Sequence, residues 1–417
     1  MFIIAPMYAI MGKSMYVIEV QCSRCGAKFC PDMVLTVCDK CGGALLFRYD
    51  LHKVASVVSR SALKERDETF WKFKELLPIS ADENVVSLGE PYTPLLRLPR
   101  GSITSLKNVY VKDDGRLPTG TFKARGMATA VSELKELGVH RIAVPSAGNA
   151  AAALAAYGAK AGVEVYAFMP KDVPEPILKE CIYLGAKVYL VNGSINDAGE
   201  VVKKLEPKYR WFNVSTNKQP YRVEGYKAIA FEMAEQFNWN PPDIIIFPTG
   251  GGEGVIGLWK GFKELCDLGW TKKTPRIIIV QSNGCAPLVK AFNNGETEVK
   301  EPWEKPETIA VGLKVPFPYA SYLALRALKE TNGTATAVDD TEIIASMKTL
   351  LRNGIYACPE AAATLAALEK LENQNFFDPE ETILLYLTGN AMKYFDSLEI
   401  HREQIPVLNR NTDQHTI

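Results

Sequence analysis

The sequence predicts an α/β protein with open, mostly parallel sheets behind a small cysteine-rich module. Two observations carry this. From about residue 109, short runs of β-branched residues alternate with longer amphipathic ones, and strand starts at 142, 163 and 187 recur at the length of one β-α unit. Nearer the start, Cys22, Cys25, Cys38 and Cys41 form C-x2-C-x12-C-x2-C. Composition bounds the rest. The 417 residues hold 48 Lys+Arg against 48 Asp+Glu and are 47% hydrophobic. Disorder is excluded by that apolar content, and nucleic-acid binding through bulk charge by the balance. A binding protein that grips nucleic acid through the cysteine-rich module is disfavoured for the same reason.

The apolar opening, residues 1–12, is about half of the ~20 residues a membrane span needs, and it lacks the basic start of a secretory signal. Residues 1–14 read as an extension, with the working chain from Met15, no membrane partner and a cytoplasmic location. Residues 15–50 read as a zinc ribbon. Gly26 and Gly42 each follow the second cysteine of a pair, and β-type residues 15–20 and 45–49 flank the set. Two thiolates on each of two tight turns clasp a tetrahedral ion, with all four positions filled, so the site is structural. Two disulfides are the other reading of the same spacing.

Residues 51–77 are charged and helix-like, with Trp71, Phe73, Leu76 and Leu77 available for packing and Pro78 as the stop. Strands are expected at 109–112, 142–145, 163–169, 187–191, 244–248, 277–281 and 383–388. Helices are expected at 124–137, 150–161, 176–184, 195–205, 223–236 and 255–265. Gly138, Gly162 and Gly185 sit just past three of them. The proline-rich stretch 302–318 reads as a surface excursion. This gives two lobes: a large α/β domain from 51–140 and 215–417, and a smaller one from 141–214.

In such folds ligands bind at the carboxyl ends of strands. Four loops there stand out. In Pro118-Thr119-Gly120-Thr121-Phe122-Lys123-Ala124-Arg125-Gly126, Lys123 starts a helix beside Arg125, a positive setting that favours the neutral, nucleophilic amine. Alone, it also reads as an exposed surface lysine. In Ser146-Ala147-Gly148-Asn149, Gly148 admits close backbone approach and Asn149 offers a donor and an acceptor; a plain turn fits equally. In Thr249-Gly250-Gly251-Gly252-Glu253-Gly254, backbone N–H groups and a helix start suit a phosphate. It is neither a Walker loop nor a dinucleotide fingerprint. Glu253 must point away from that anion or pair with a cation. In the fourth, Thr388 ends the last strand with a hydroxyl. One ligand satisfies all four: pyridoxal phosphate, with a phosphate for the glycines, an aldehyde for Lys123 and ring atoms for Asn149 and Thr388.

The chain resembles the fold type II family of pyridoxal-phosphate enzymes, and within it the threonine synthase group. The resemblance rests on Gly89-Glu90-Pro91-Tyr92-Thr93-Pro94, the Lys123 segment, the Asn149 and glycine loops, Glu360-Ala361-Ala362-Ala363-Thr364 and Thr388-Gly389, spread over about residues 85 to 395. It implies a two-lobed fold in which Lys123 joins the cofactor and moves protons, with Phe122 beside it. It implies that Asn149 meets the ring hydroxyl, that Thr388 is a neutral partner of the ring nitrogen, and that Gly250, Gly251, Gly252, Glu253 and Gly254 hold the phosphate. Ser146, Ala147, Gly148 and Arg222 would bind substrate, the last through the polar stretch 215–222. The implied reaction converts O-phospho-L-homoserine and water into L-threonine and phosphate, in a homodimer. Ala124, Ala147 and Ala150 depart from the group's usual Asp and hydroxyl residues. They leave open a threonine or serine ammonia-lyase, or a replacement enzyme such as a cysteate synthase.

Overall fold

A computed structural model describes residues 16–101 and 103–399; the extension expected at 1–14 lies outside them. The chain opens with a three-stranded antiparallel sheet. Strand β1 (Val17–Cys22) lies between β2 (Lys28–Phe29) and β3 (Leu45–Tyr49). Short helices α1 (Leu51–Val57) and α2 (Arg60–Leu63) follow. The single helix suggested by residues 51–77 is absent. Val58 is extended and ends α1, and Phe70–Leu76 winds as a 3-10 helix kinked at Phe73. Phe73, Leu76 and Leu77 are still buried, so the apolar residues pack as expected without a continuous helix.

The main body then alternates. Strands β4 (Leu95–Arg97) and β5 (Val109–Asp113) lead to α3 (Lys123–Glu136). Next come β6 (Arg141–Pro145), α4 (Asn149–Ala161), β7 (Glu164–Pro170), α5 (Glu175–Tyr183), β8 (Lys187–Val191), α6 (Ile195–Tyr209) and β9 (Phe212–Asn213). The chain continues through α7 (Tyr221–Gln236), β10 (Ile244–Pro248), α8 (Glu253–Asp267), β11 (Arg276–Ser282) and α9 (Pro287–Asn293). It ends with α10 (Ser321–Glu330), β12 (Thr334–Val338), α11 (Asp340–Arg352), α12 (Pro359–Glu372) and β13 (Ile383–Leu387).

Two sheets result. One runs β12-β11-β10-β13-β5-β4, parallel except where β4 meets β5; the other runs β8-β7-β6-β9, all parallel. Strands β10 (IIIFP) and β13 (ILLYL) are buried at every residue, as central strands covered on both faces must be. Strand β12 escapes a hydrophobicity reading because it is an edge strand, TATAV, that needs only one apolar face. No helix among the described residues is long and apolar enough to cross a membrane.

Two buried ionic clusters brace this body. Behind the start of α3, Arg125 Nε and Nη2 meet the two oxygens of Asp114 at 2.7 and 2.9 Å, and Nη1 meets Glu232 at 2.7 Å. Lys112 also donates to Glu232, and Tyr386 to Asp114. Between α7 and α8, Lys227 and Lys260 both pair with Glu224 and Glu264. Tyr49 of the ribbon donates to Glu224 at 2.9 Å, tying the cysteine module to the body. A buried ion pair contributes little net stability when complete, but losing one partner strands a charge and costs roughly 3–5 kcal/mol. Arg125→Met should therefore lower unfolding stability by about that amount, read as a fall in the urea midpoint. A loss near that of an ordinary surface substitution would contradict this role.

Candidate active site

The carboxyl ends of β5, β6, β10 and β13 face one cleft of about 890 Å³, mouth included. Lys123, Phe122, Ser146, Ala147, Gly148, Asn149, Gly250, Gly251, Gly252, Glu253, Gly254 and Thr388 all line it. Four loops far apart in sequence thus meet, because each follows a strand at the same edge.

Lys123 is the first residue of α3. Its Nζ stands 4.2 Å from the Phe122 ring centroid and 5.7 Å from that of Tyr226. Among the described residues no carboxylate lies within ion-pair reach of it. Desolvation, then the Arg222 guanidinium, lower its pKa to about 8, against the pull of Glu253 and Glu360. The sequence pointed to Arg125 as the positive neighbour. The structure corrects this: Arg125 is neutralised by Asp114 and Glu232, and Arg222 supplies the field instead.

The glycine loop lets backbone stand where side chains cannot. A Cβ on Gly250 would come within 2.4 Å of the Gly312 carbonyl oxygen, and Gly252 takes a left-handed φ of 81°. Gly252 caps α8 without a side-chain hydrogen bond, and no described acceptor takes the N–H groups of residues 250–255. Six free amides at a helix start form an anion cradle. Glu253 turns away from it. Its carboxylate lies 2.7 Å from Arg222 Nη2 and accepts the Asn217 N–H at 3.0 Å.

Arg222 is therefore not where the resemblance implied. It is fully buried beneath the cleft, gives Val214 O a 2.9 Å hydrogen bond and does not line the cavity. Its role is to hold Glu253 and act on Lys123 through space. Ser146 also looks inward: its Oγ accepts the N–H groups of Gly148 and Ala151 at 3.1 and 3.2 Å, shaping the turn. Asn149 Nδ2 donates to Tyr394 OH at 2.6 Å, while its Oδ1 is buried without a partner. Thr388 Oγ1 lies 3.9 Å from Cys358 Sγ.

Several lining residues had no role in the sequence reading: Thr121, Gly312, Leu313, Cys358, Glu360 and Tyr394. The stretch 302–318, expected to be a surface excursion, in fact sends its Val311–Leu313 turn into the cleft wall. The available signal was Glu360, a lone carboxylate in an alanine-rich helix start.

Away from the cleft, the Sγ atoms of Cys22, Cys25, Cys38 and Cys41 all lie within 4.8 Å of one another. Cys22–Cys41 and Cys25–Cys38 are 3.5 and 3.6 Å apart, too far for a disulfide bond of about 2.05 Å. The corners of a zinc-thiolate tetrahedron are about 3.8 Å apart, given Zn–S of about 2.3 Å.

Residues 86–389 match the family model described as pyridoxal-phosphate dependent enzyme, and the chain belongs to that family. It is 36% identical to a threonine synthase of Methanocaldococcus jannaschii, covering 89% of this chain and 92% of that protein. A threonine synthase of Methanosarcina acetivorans is 35% identical over 95% of this chain and 97% of its own length. The fold also matches a fungal L-serine ammonia-lyase from Rhizomucor miehei, with a TM-score of 0.61 at 23% identity over 72% of this chain and 93% of that one.

The residues fit the family's cofactor: a free-amide cradle for its phosphate, an amine for its aldehyde, and unpartnered polar atoms for its ring. Capture of pyridoxal phosphate by the apo-protein requires the neutral amine. Uptake should therefore rise with pH through about 8. Arg222→Met removes the positive neighbour and leaves Glu253 uncompensated, so the inflection should move upward. An inflection that stays put would contradict the assigned role of Arg222.

Proposed function

We propose that the protein is a threonine synthase, converting O-phospho-L-homoserine and water into L-threonine and phosphate. The observation that carries this is the 35–36% identity to proteins of that name over nearly the whole chain, joined to a cleft that suits the cofactor. When bound, pyridoxal phosphate supplies an aldehyde that condenses with amines and a ring that draws electrons from the substrate's α-carbon. The amides of residues 250–255 hold its phosphate, and Asn149 and Thr388 meet its ring. Lys123 Nζ, its pKa lowered to about 8, takes the α-proton in its neutral form and then moves protons at the β-carbon. The 146–149 turn presents backbone to the substrate carboxylate. Arg222 sits too deep for direct contact and serves by holding Glu253.

The six-stranded sheet is assigned to a cofactor-binding lobe from 51–140 and 215–417, and the four-stranded sheet to a smaller lobe from 141–214. The family resemblance further suggests a homodimer in the cytoplasm. The test of function is product analysis. Purified protein given O-phospho-L-homoserine should release phosphate and L-threonine in equal amounts. Given L-threonine instead, it should release little 2-oxobutanoate. Keto acid from threonine with no phosphate release from phosphohomoserine would make it an ammonia-lyase.

The four ribbon cysteines are proposed to hold one structural zinc ion. The ribbon reaches the body through Tyr221, whose hydroxyl accepts the Leu35 N–H at 2.8 Å, and Tyr322, which accepts the Ala44 N–H at 2.9 Å. Cys38→Ser should release one zinc per chain and lower thermal stability while the cofactor absorbance persists. Retained zinc with unchanged stability would refute the assignment.

A further inference from the structure

We infer that Tyr394 is a positioning residue: when the cofactor binds, its O–H donates to Asn149 Oδ1 and fixes the Asn149 amide with its N–H groups toward the cofactor's ring oxygen. The inference rests on the reading of this cleft as a pyridoxal phosphate site and not on the choice of substrate. It starts from two unmet groups in one contact. Asn149 Nδ2 lies 2.6 Å from Tyr394 OH. Asn149 Oδ1 is buried without a hydrogen-bond partner among the described residues, and none of those residues accepts the Tyr394 O–H. An acceptor without a donor beside a donor without an acceptor is costly in a dry site. Half a turn about the Asn149 Cβ–Cγ bond exchanges the amide oxygen and nitrogen and meets both needs at once. The separation suits that arrangement, since O–H···O bonds cluster at about 2.7–2.8 Å and N–H···O bonds at about 2.9–3.0 Å.

Tyr394 is suited to act as a fixed donor. The side chain is buried, and burial, then Glu360, push its phenol well above the usual range, so the O–H stays protonated. Its backbone is held on both sides: the N–H donates to Ala391 O at 2.8 Å, and the carbonyl accepts the Ser397 hydroxyl at 2.6 Å. The preceding Lys393 donates to Thr119 O at 2.6 Å, in the loop that leads to Lys123, and pairs with Glu180 of α5. Asn149 reaches the contact from a different sheet. It opens α4 after β6, whereas Tyr394 follows β13, and both line the cleft. With its oxygen taken by Tyr394, Asn149 has only N–H donors left to offer a ligand. The amides of residues 250–255 suit the phosphate and Lys123 the aldehyde, which leaves the ring hydroxyl for Asn149. Once ionised, that oxygen is a strong acceptor of an N–H. The opposite amide orientation would set a carbonyl oxygen against the same negative charge and disfavour it.

The test is uptake of two cofactors by the apo-protein without substrate, followed by absorbance: pyridoxal phosphate, and its analogue lacking the ring hydroxyl. Tyr394→Phe should weaken uptake of pyridoxal phosphate roughly tenfold or more, as loss of a hydrogen bond to a charged group does, and should leave uptake of the deoxy analogue at the wild-type level. In an Asn149→Ala background the same change should have no further effect on pyridoxal phosphate. Three results overturn the inference: a Tyr394→Phe variant that takes up pyridoxal phosphate as wild type does, equal weakening for both cofactors, or an added loss on top of Asn149→Ala. A Tyr394→Phe variant that loads neither cofactor overturns it too, because the deoxy analogue makes no use of the Asn149 amide. A wild type that takes up neither cofactor is a different failure: it refutes the reading of the cleft, and the inference with it.

Discussion

The site depends on one half-buried amine being denied a counter-charge. Arg125, Lys112, Lys227, Lys260 and Arg222 are all buried, and each has a carboxylate at contact distance. Among the described residues Lys123 has none and lies against aromatic rings instead. Its ammonium form is disfavoured by desolvation and by a guanidinium locked to another acid. The arrangement is economical in its logic: Arg222 satisfies Glu253, keeps that carboxylate off the anion cradle, and leaves its own field to act on the amine.

The glycine loop applies the same restraint in backbone form. Side chains at residues 250–252 would fill the space or block the approach of neighbouring chain, and a capping side chain at Gly252 would occupy the amides. The loop follows β10, one of the most buried strands, so the cradle is fixed from below by the core. The Val311–Leu313 turn closes on it from the side, held by Glu360.

Much of this was legible in the sequence, for local reasons. The alternation of β-branched runs and amphipathic stretches marks strands and helices from residue 109 to about 265. Glycine clusters after strands mark ligand loops. What stayed hidden is tertiary. Arg222 looks like a substrate-binding arginine until its depth beneath the cleft is known. Arg125 looks like the neighbour that tunes Lys123 until Asp114 and Glu232 are seen around it. The turn at 311–313 contributes backbone from a proline-rich stretch with no strand pattern. Strand β12 is too polar to declare itself because an edge position does not require more. The cysteine spacing, by contrast, needs no tertiary information: four thiols on two knuckles come together as the spacing demands.

The central claim is that Lys123 carries the cofactor. Borohydride reduction of the purified yellow protein, followed by peptide mass spectrometry, tests it most directly. The account predicts a single pyridoxyl adduct on Lys123. An adduct on another lysine, or none in a protein that had bound the cofactor, would contradict it.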